Sequence, residues 1–248
     1  MTLVRTEGLA AGYGNGAVLQ DVTFAVAPGL RVAVLGPNGG GKTTLFRLLL
    51  GQLAPLAGTL DAARCAVVPQ TERSRLDFPV SALDVALMGA VSRLPWWKRP
   101  SRADRDAAHA ALASVGLADQ AQRTFGDLSG GQRQRVLVAR ALVQDAPVIL
   151  LDEPFTGLDA TSAERLEVLL AALAGEGRAL LIATHDVEQA RRWDRVLCLN
   201  RRQIAYGGSE VLTRDVLEQT YGGEIVDIDC AEHGHDQVVL PAHHHDHH

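Results

Sequence analysis

The stretch from Gly36 to Thr44, GPNGGGKTT, constrains the fold of this chain more than any other part of the sequence. It satisfies the pattern G-x-x-x-x-G-K-S/T, and it lies between LRVAVLG, a short apolar run, and KTTLFRLLLG, which has helical spacing. A strand, a glycine-rich loop and a helix in this order present backbone N–H groups and the positive end of a helix to an anion. The sequence therefore predicts a phosphate-binding loop.

The residue types in this loop suit a triphosphate. Glycines at 39, 40 and 41 let successive N–H groups approach phosphate oxygens without interference from a Cβ atom. Lys42 is predicted to reach the β- and γ-phosphates, and the Thr43 hydroxyl to ligate Mg²⁺. The nucleotide-binding residues predicted in the loop are Asn38, Gly39, Gly40, Gly41, Lys42, Thr43 and Thr44.

The alternation of strand and helix returns in the second half of the chain. The segments APVILLDEP, TSAERLEVLLAALAG, RALLIATHD and RVLCLN follow one another, and the strand segments are apolar at consecutive positions. Such runs are typical of parallel strands that are buried on both faces by helices. The predicted fold class is therefore α/β, with the core of a phosphate-loop NTPase.

The pattern changes between Thr71 and Asp127. The segments SALDVALMGA and SRADRDAAHAALASVG are predicted helices, each with Ser at the N-cap and Asp three residues later. We expect a helical subdomain, roughly residues 71–145, inserted in an α/β domain of residues 1–225. Residues 226–248 have little helical or strand periodicity and are expected to form a mobile tail.

Composition excludes several classes of protein. The formal net charge of -5 gives no basic footprint, so we expect no nucleic-acid partner. Three cysteines, Cys65, Cys198 and Cys230, are odd in number and widely spaced, which argues against a disulfide framework and for a reducing compartment. No uninterrupted apolar run approaches the roughly 18 residues of a membrane-spanning helix. Any role at a membrane would therefore require a partner.

Polar residues end two of the predicted strands. The segment VILLDE carries Asp152 and Glu153 to the carboxyl end of a buried strand, the edge at which open α/β sheets bind ligands. Neighbouring residues of a strand point to opposite sides, so the two acids have different predicted roles. Asp152 suits the outer shell of Mg²⁺, and Glu153 suits a base that orients and activates water. His185, at the end of LLIATH, is predicted to hydrogen-bond the γ-phosphate.

These motifs together resemble the ATP-binding subunits of ABC transporters, over roughly residues 3–222. The resemblance implies that Tyr13, in GYG, stacks on adenine. It implies that Gln70, in VVPQ, contacts Mg²⁺ and links the core to the helical subdomain. It also makes His185 a switch residue and Glu153 the catalytic base, in a chain that hydrolyses ATP.

The segment LSGGQ, from Leu128 to Gln132, is the signature of the family that the chain resembles. In that family two copies pair head to tail, and the signature of one copy closes over the γ-phosphate held by Lys42 of the other. A serine hydroxyl, N–H groups and a helix dipole form an anion site that is half built within one chain. The residues expected to act in trans are Ser129, Gly130, Gly131, Gln132 and Asp159.

The resemblance also implies partners. We expect a second ATP-binding subunit, as a homodimer, and an integral membrane permease docked near Gln70 at the cytoplasmic face of the inner membrane. The segments DFPVSALDVALMG and RPSRADRDAAHAALASVGLADQA are similar to the subgroup that imports zinc, manganese or iron, so an extracytoplasmic metal-binding protein is implied as well. Two alternatives stay open, an importer of an iron chelate and a soluble ABC ATPase that assists iron-sulfur assembly.

The last sixteen residues, HGHDQVVLPAHHHDHH, hold seven of the nine histidines. Clustered imidazoles with interspersed Asp form a flexible site for Zn²⁺, Cu²⁺ or Ni²⁺. An engineered tag and a solvated tail without a role are the alternatives. The predicted ligands are His233, His235, His243, His244, His245, His247 and His248.

Overall fold

The computed structural model describes residues 2–14, 16–70, 79–92, 94–95 and 97–222. The seven histidines predicted to bind metal, and Cys230, lie outside the described residues. The strands and α-helices in chain order are β1 Val4–Tyr13, β2 Gly16–Val26, β3 Arg31–Leu35, α1 Lys42–Leu49, β4 Ala57–Ala62, β5 Cys65–Val68, α2 Ala82–Val91, α3 Arg102–Ser114, α4 Gly130–Val143, β6 Val148–Asp152, α5 Ala160–Gly175, β7 Ala179–Thr184, α6 Val187–Arg191, β8 Arg195–Leu199, β9 Gln203–Gly207 and α7 Arg214–Tyr221.

A six-stranded sheet forms the centre of the molecule, with the strand order β5-β6-β7-β3-β8-β9. The first five strands are parallel, and β9 is antiparallel to β8 at the edge. All six residues of β7 are buried, as are the first four of β6. The predicted strands LRVAVLG, VILLDE, LLIATH and RVLCLN correspond to β3, β6, β7 and β8, so the prediction of an α/β fold is confirmed.

A second sheet, three antiparallel strands in the order β2-β1-β4, was not predicted from the sequence. The pairing of β1 with β2 contains three register shifts, which break the alternation of buried and exposed residues that identifies a strand. Leu9 and Val22 of this sheet, Leu45 and Leu48 of α1, and Val34 of β3 belong to one buried cluster. Helix α1 therefore packs between the two sheets.

The helices α2, α3 and α4 pack on one another and on the opposite face of the central sheet. Leu83, Leu112 and Leu137, one from each helix, share a buried cluster with Ile149 and Leu151 of β6. None of the helices in the described ranges is long and apolar enough to cross a membrane.

The two predicted N-caps of this helical layer are confirmed. Ser81 caps α2 and accepts a hydrogen bond from the N–H of Asp84, whose carboxylate accepts one from the N–H of Ser81 at 3.0 Å. Ser101 and Asp104 form the same pair at the start of α3, where the carboxylate contact is 2.8 Å. The hydrogen bonds from Ser81 hold the pKa of Asp84 below its usual range.

The crossing of α2 and α4 requires a glycine at position 89. A Cβ atom on Gly89 would overlap the carbonyl oxygen of Arg140 and lie 3.0 Å from the Cβ of Val143. We expect Gly89→Ala to lower the free energy of unfolding by about 1 to 3 kcal/mol, because the two helices must separate. Urea denaturation followed by circular dichroism measures the change.

Gly175→Ala is the matched control, because no atom lies within 4 Å of a Cβ atom at this position of α5. Alanine is the better helix former by about 0.5 to 1 kcal/mol, so this variant should be as stable as the wild type or more stable. Equal stabilities for the two variants would contradict the close approach of α2 and α4.

Candidate functional site

The predicted phosphate loop joins the end of β3 to the start of α1. Gly39 and Gly41 have φ angles of 78° and 104°, in the left-handed region that favours glycine. Gly41 is the N-cap of α1 and provides no side-chain cap, so the first N–H groups of the helix point into the loop without a capping oxygen. The N–H of Gly40 donates to the carbonyl of Pro37 at 3.0 Å and closes the turn. The loop is therefore shaped as a cradle for an anion.

The segment that follows β8 supports this loop from behind. The N–H of Arg201 donates to the carbonyl oxygen of Gly40 at 2.9 Å, and the carbonyl of Arg201 accepts from the N–H of Gln20 at 2.8 Å. A Cβ atom on Gly36 would overlap the carbonyl oxygen of Leu199. The phosphate loop thus rests on both sheets, and Gly40 faces this support.

Lys42, the first residue of α1, is 8% exposed. Its ammonium group donates to the carbonyl oxygen of Gly36 and to that of Pro37, the latter at 3.2 Å. Burial lowers the pKa of Lys42, while the negative charges of Glu153 and Asp152 oppose that shift. The cation is thus held at the base of the loop, where phosphate oxygens would be charged acceptors for its protons.

The loop and the carboxylates that end β6 share one cleft of about 300 Å³. Loop residues line one wall, and a residue of β2 and the two acids line the rest. The lining residues are Val18, Pro37, Asn38, Gly39, Gly41, Lys42, Thr43, Thr44, Asp152 and Glu153.

The donor atoms of this cleft fit Mg²⁺. The hydroxyl of Thr43 and the carboxylate of Asp152 both line the cleft, and both are hard oxygen donors. Within the described ranges no group of three or more His, Cys, Asp or Glu side chains could hold a metal ion. Mg²⁺ usually binds proteins through one or two such oxygens and takes its other ligands from water and from phosphates.

Glu153 is the point at which the separately predicted residues meet. Its φ angle of 47° is rare for a residue with a side chain, and its N–H donates to the carbonyl of Ala183 at 3.0 Å. The Oε2 atom accepts from Nε2 of Gln70 at 3.5 Å and from the hydroxyl of Thr156 at 3.4 Å, and it lies 4.0 Å from Nδ1 of His185. Thr156 was not predicted as a site residue, although its place three residues after Glu153 in the same turn was a usable signal.

A second cleft, of about 360 Å³, lies on the other side of Glu153. Glu153 lines both clefts, with 19% of its side chain exposed, whereas the side chain of His185 is 67% exposed. The second cleft is lined by Glu153, Phe155, Thr156, Gly157, Ala163, Thr184, His185, Asp186 and Gln189. Glu153 therefore borders both the phosphate cleft and the cleft that His185 lines.

Tyr13 lies at the end of β1 and does not line the phosphate cleft. The residue is 46% exposed. Its hydroxyl accepts a hydrogen bond from Nη1 of Arg47 at 2.9 Å, and Arg47 is on α1. The aromatic ring is thus next to the helix that starts at the phosphate loop.

The signature segment begins α4. Ser129 is the N-cap of this helix and accepts from the N–H of Gln132 at 3.2 Å, and the side-chain oxygen of Gln132 accepts from the N–H of Ser129 at 2.9 Å. A Cβ atom on Gly131 would lie 2.5 Å from the hydroxyl of Ser162, and one on Gly130 would lie 3.9 Å from the carbonyl of Gly157. The signature therefore packs against the start of α5.

Asp159 is the N-cap of α5 and belongs to the same neighbourhood. Its carboxylate accepts from the N–H and the hydroxyl of Ser162 at 2.9 and 2.8 Å, and these hydrogen bonds hold the pKa of Asp159 below its usual range. Neither Asp159 nor any residue from Ser129 to Gln132 lines the phosphate cleft or the second cleft. One copy of the chain thus contains two glycine-rich helix entries, and only the one at α1 lines the phosphate cleft.

The chain is similar to known proteins in sequence and in fold. Residues 19–156 match the family model described as ABC transporter. The chain is 40% identical over 233 residues to the manganese transport system ATP-binding protein MntB of Bacillus subtilis, covering 90% of this chain and 93% of the relative. It is 39% identical to the zinc transport system ATP-binding protein TroB of Treponema pallidum, covering 90% and 88%. A solved metal-chelate type ABC transporter in an inward-facing conformation superimposes with a TM-score of 0.81 at 33% identity, covering 89% of both chains.

The position of Lys42 gives a direct test of the phosphate site. We expect Lys42→Ala to weaken the binding of a nucleoside triphosphate by about 10- to 150-fold, because a hydrogen bond to a charged group contributes about 1.5 to 3 kcal/mol. Calorimetric titration in the presence of Mg²⁺ measures the affinity. Lys98→Ala is the control, since Lys98 is exposed and does not line the phosphate cleft. An unchanged affinity in Lys42→Ala would show that the cleft does not bind the phosphates.

Proposed function

We propose that this chain, which belongs to the ABC transporter family, is the ATP-hydrolysing subunit of an importer of divalent metal ions, zinc or manganese. The observation that supports ATP hydrolysis is the position of Glu153. Its carboxylate lines the same cleft as Lys42 and is held by Gln70 and Thr156. A phosphate cradle and a fixed carboxylate in one cleft are what hydrolysis of a terminal phosphate requires.

The loop binds the triphosphate of ATP. The N–H groups of Gly39 and Gly41 and the first turn of α1 face the phosphates, and Lys42 exchanges its loop carbonyls for β- and γ-phosphate oxygens. Mg²⁺ would be held by Thr43, with Asp152 in its outer shell and Gln70 as a further contact. When bound, it neutralises charge on the phosphates.

The hydrolytic step uses residues around the junction of the two clefts. Glu153 orients a water molecule in line with the γ-phosphate and accepts its proton. His185 hydrogen-bonds the γ-phosphate and responds to its loss, which its position 4.0 Å from Glu153 supports. Thr156 positions the carboxylate by its hydrogen bond to Oε2. The backbone strain at Glu153, where φ is 47°, fits a side chain held for catalysis.

Two copies of the chain complete each site. The start of α4, with Ser129, Gly130 and Gly131, provides N–H groups and a helix dipole for the γ-phosphate bound by a second copy. Asp159 lies beside this segment and would cross the interface with it. The proposal is supported by the separation of the signature from both clefts within one chain. Hydrolysis then removes the bridging charge and releases the dimer.

Membership in the family implies a membrane permease as partner. We place the permease contact near Gln70 and the helical layer, at the cytoplasmic face of the membrane, with an extracytoplasmic metal-binding protein as a further component. The named relatives serve manganese and zinc transport, which supports a divalent metal as cargo. They are transport-system proteins, which favours the transporter over an ATPase of iron-sulfur assembly. The histidines of residues 233–248 would add a metal site.

The role of Glu153 predicts a separation of binding from turnover. Glu153→Gln keeps the size and one acceptor oxygen but removes the base, so ATP binding should persist while hydrolysis falls by roughly 100-fold or more. Phosphate release under saturating ATP measures turnover, and size-exclusion chromatography should show a dimer trapped with ATP. Glu176→Gln removes an exposed carboxylate at the end of α5 and should leave turnover unchanged. Turnover near the wild-type rate in Glu153→Gln would assign the base to another residue.

The proposed role of the signature predicts that a change at Ser129 affects dimerisation without affecting ATP binding by the monomer. Ser129→Arg should leave ATP binding by the monomer almost intact and prevent ATP-dependent dimerisation, because the new side chain faces the partner's phosphates. The control is Ser101→Arg, which removes the same kind of N-cap from α3 and costs about 1 kcal/mol of stability. Light scattering with ATP and the Glu153→Gln background measures the dimer. The two-copy site is wrong if both serine variants dimerise equally well.

A further inference from the structure

The hairpin of β1 and β2 leaves the ring of Tyr13 without a cross-strand neighbour. Gly16 is the residue opposite Tyr13, and it has no side chain to pack on the ring. A Cβ atom on Gly12 would overlap the carbonyl oxygen of Gly16, so the two strands approach closely here. Gly14 has a φ of 58°, which favours glycine. The hairpin positions Tyr13 but does not fix its ring.

Arg47 provides the contact that the hairpin lacks. Its Nη1 atom donates to the Tyr13 hydroxyl at 2.9 Å, and its Cζ atom lies over the ring, 5.6 Å from the centroid. A guanidinium over an aromatic face is attracted by the quadrupole of the ring. The two contacts together restrict both the position of the hydroxyl and the tilt of the ring. Arg47 thus contacts the hydroxyl end of the ring, and Tyr13 is 46% exposed, which leaves area on the ring for a planar group.

The same helix connects this pair to the phosphate loop. Arg47 lies five residues after Lys42 on α1, which is about 7 to 8 Å along the helix axis. Val18, two residues after the Gly16 that pairs with Tyr13, lines the phosphate cleft. Arg47 therefore fixes the ring relative to the loop through one rigid element.

We infer that Arg47 is a positioning residue that holds the ring of Tyr13 as a platform for the purine base of the nucleotide. The inference rests on the proposed function, in which Tyr13 stacks on adenine. Stacking of a base on an aromatic side chain is favourable, and an ordered ring loses less conformational freedom when the base binds. Arg47 acts on the base through Tyr13 and not on the phosphates.

The test compares two ligands, ATP and inorganic tripolyphosphate, each with Mg²⁺, by calorimetric titration. Arg47→Met keeps a long unbranched side chain but removes the charge and the donors. We expect this variant to bind ATP about two- to fivefold more weakly than the wild type, the range of an exposed cation–π contact, with tripolyphosphate binding unchanged. Arg47→Lys keeps a cation and a donor, so its ATP affinity should lie between those of the wild type and Arg47→Met.

Arg5→Met is the matched control, because Arg5 is an exposed arginine of β1 that pairs with Glu7 at 2.7 Å. It should bind both ligands as the wild type does. Equal weakening of ATP and tripolyphosphate in Arg47→Met would make Arg47 a phosphate residue and overturn the inference. Unchanged binding of both ligands would overturn it as well. Thermal unfolding of each variant shows whether the fold is intact.

A double-mutant cycle with Tyr13→Ala locates the effect. In that background Arg47→Met should cause no further loss of ATP affinity, because the ring through which it acts is absent. An undiminished loss would show that Arg47 contacts the nucleotide directly. The titration of the wild type distinguishes a failure of the proposed function from a failure of the inference about Arg47. A wild type that binds neither ligand contradicts the proposed function, whereas binding by the wild type with no effect of Arg47→Met contradicts this inference alone.

Discussion

The free N–H groups at the start of α1 are the feature on which the rest of the structure depends. A helix N-terminus without a capping side chain carries unsatisfied donors and a partial positive charge, and both are stabilised by an anion. Gly41 provides no cap, and Lys42 adds a buried cation behind the same groups. The fold holds this end of the helix in place from two directions, because Arg201 hydrogen-bonds to Gly40 and to Gln20. The backbone of a cradle fixed in this way needs little rearrangement when phosphates bind, although the Lys42 ammonium must leave the carbonyl oxygens of Gly36 and Pro37.

The proposed role of Glu153 depends on a second constraint, the backbone conformation of this residue. A regular continuation of β6 would turn adjacent side chains to opposite faces, yet Asp152 and Glu153 both line the phosphate cleft. The positive φ of Glu153 departs from strand geometry, and the hydrogen bond from its N–H to Ala183 holds that departure. The carboxylate consequently reaches the atoms of Gln70, Thr156 and His185. Strain at this residue is offset by the packing of β7, which is buried throughout, and of β6, whose first four residues are buried.

The signature segment and the phosphate loop are both glycine-rich segments that start a helix. Within one chain, however, only the phosphate loop lines the phosphate cleft. Gly131 packs against Ser162 of α5, and Ser129 caps its own helix, so the signature is fixed in its place by contacts within the subunit. This geometry supports a nucleotide shared between copies. In the proposed two-copy site, this second glycine-rich helix entry would serve the nucleotide bound by the partner. The contacts of Arg47 with Tyr13, by contrast, join α1 to the end of β1 within one subunit.

Local sequence patterns were sufficient to predict much of the secondary structure of this protein. The loop between β3 and α1, the buried strands β6, β7 and β8, and the caps at Ser81 and Ser101 depend on residues within a few positions of one another, so the sequence alone determined them. The antiparallel sheet was missed, because β1 pairs with β4 across about fifty residues and its bulges disturb the alternation. Only the tertiary structure decided three other features. These are the support of the phosphate loop by Arg201, the contact of Arg47 with Tyr13 and the meeting of several side chains at Glu153. Apart from the contact of Thr156 with Glu153, each of these joins residues that lie far apart in the chain, and no local propensity encodes which side chains two packed elements bring together.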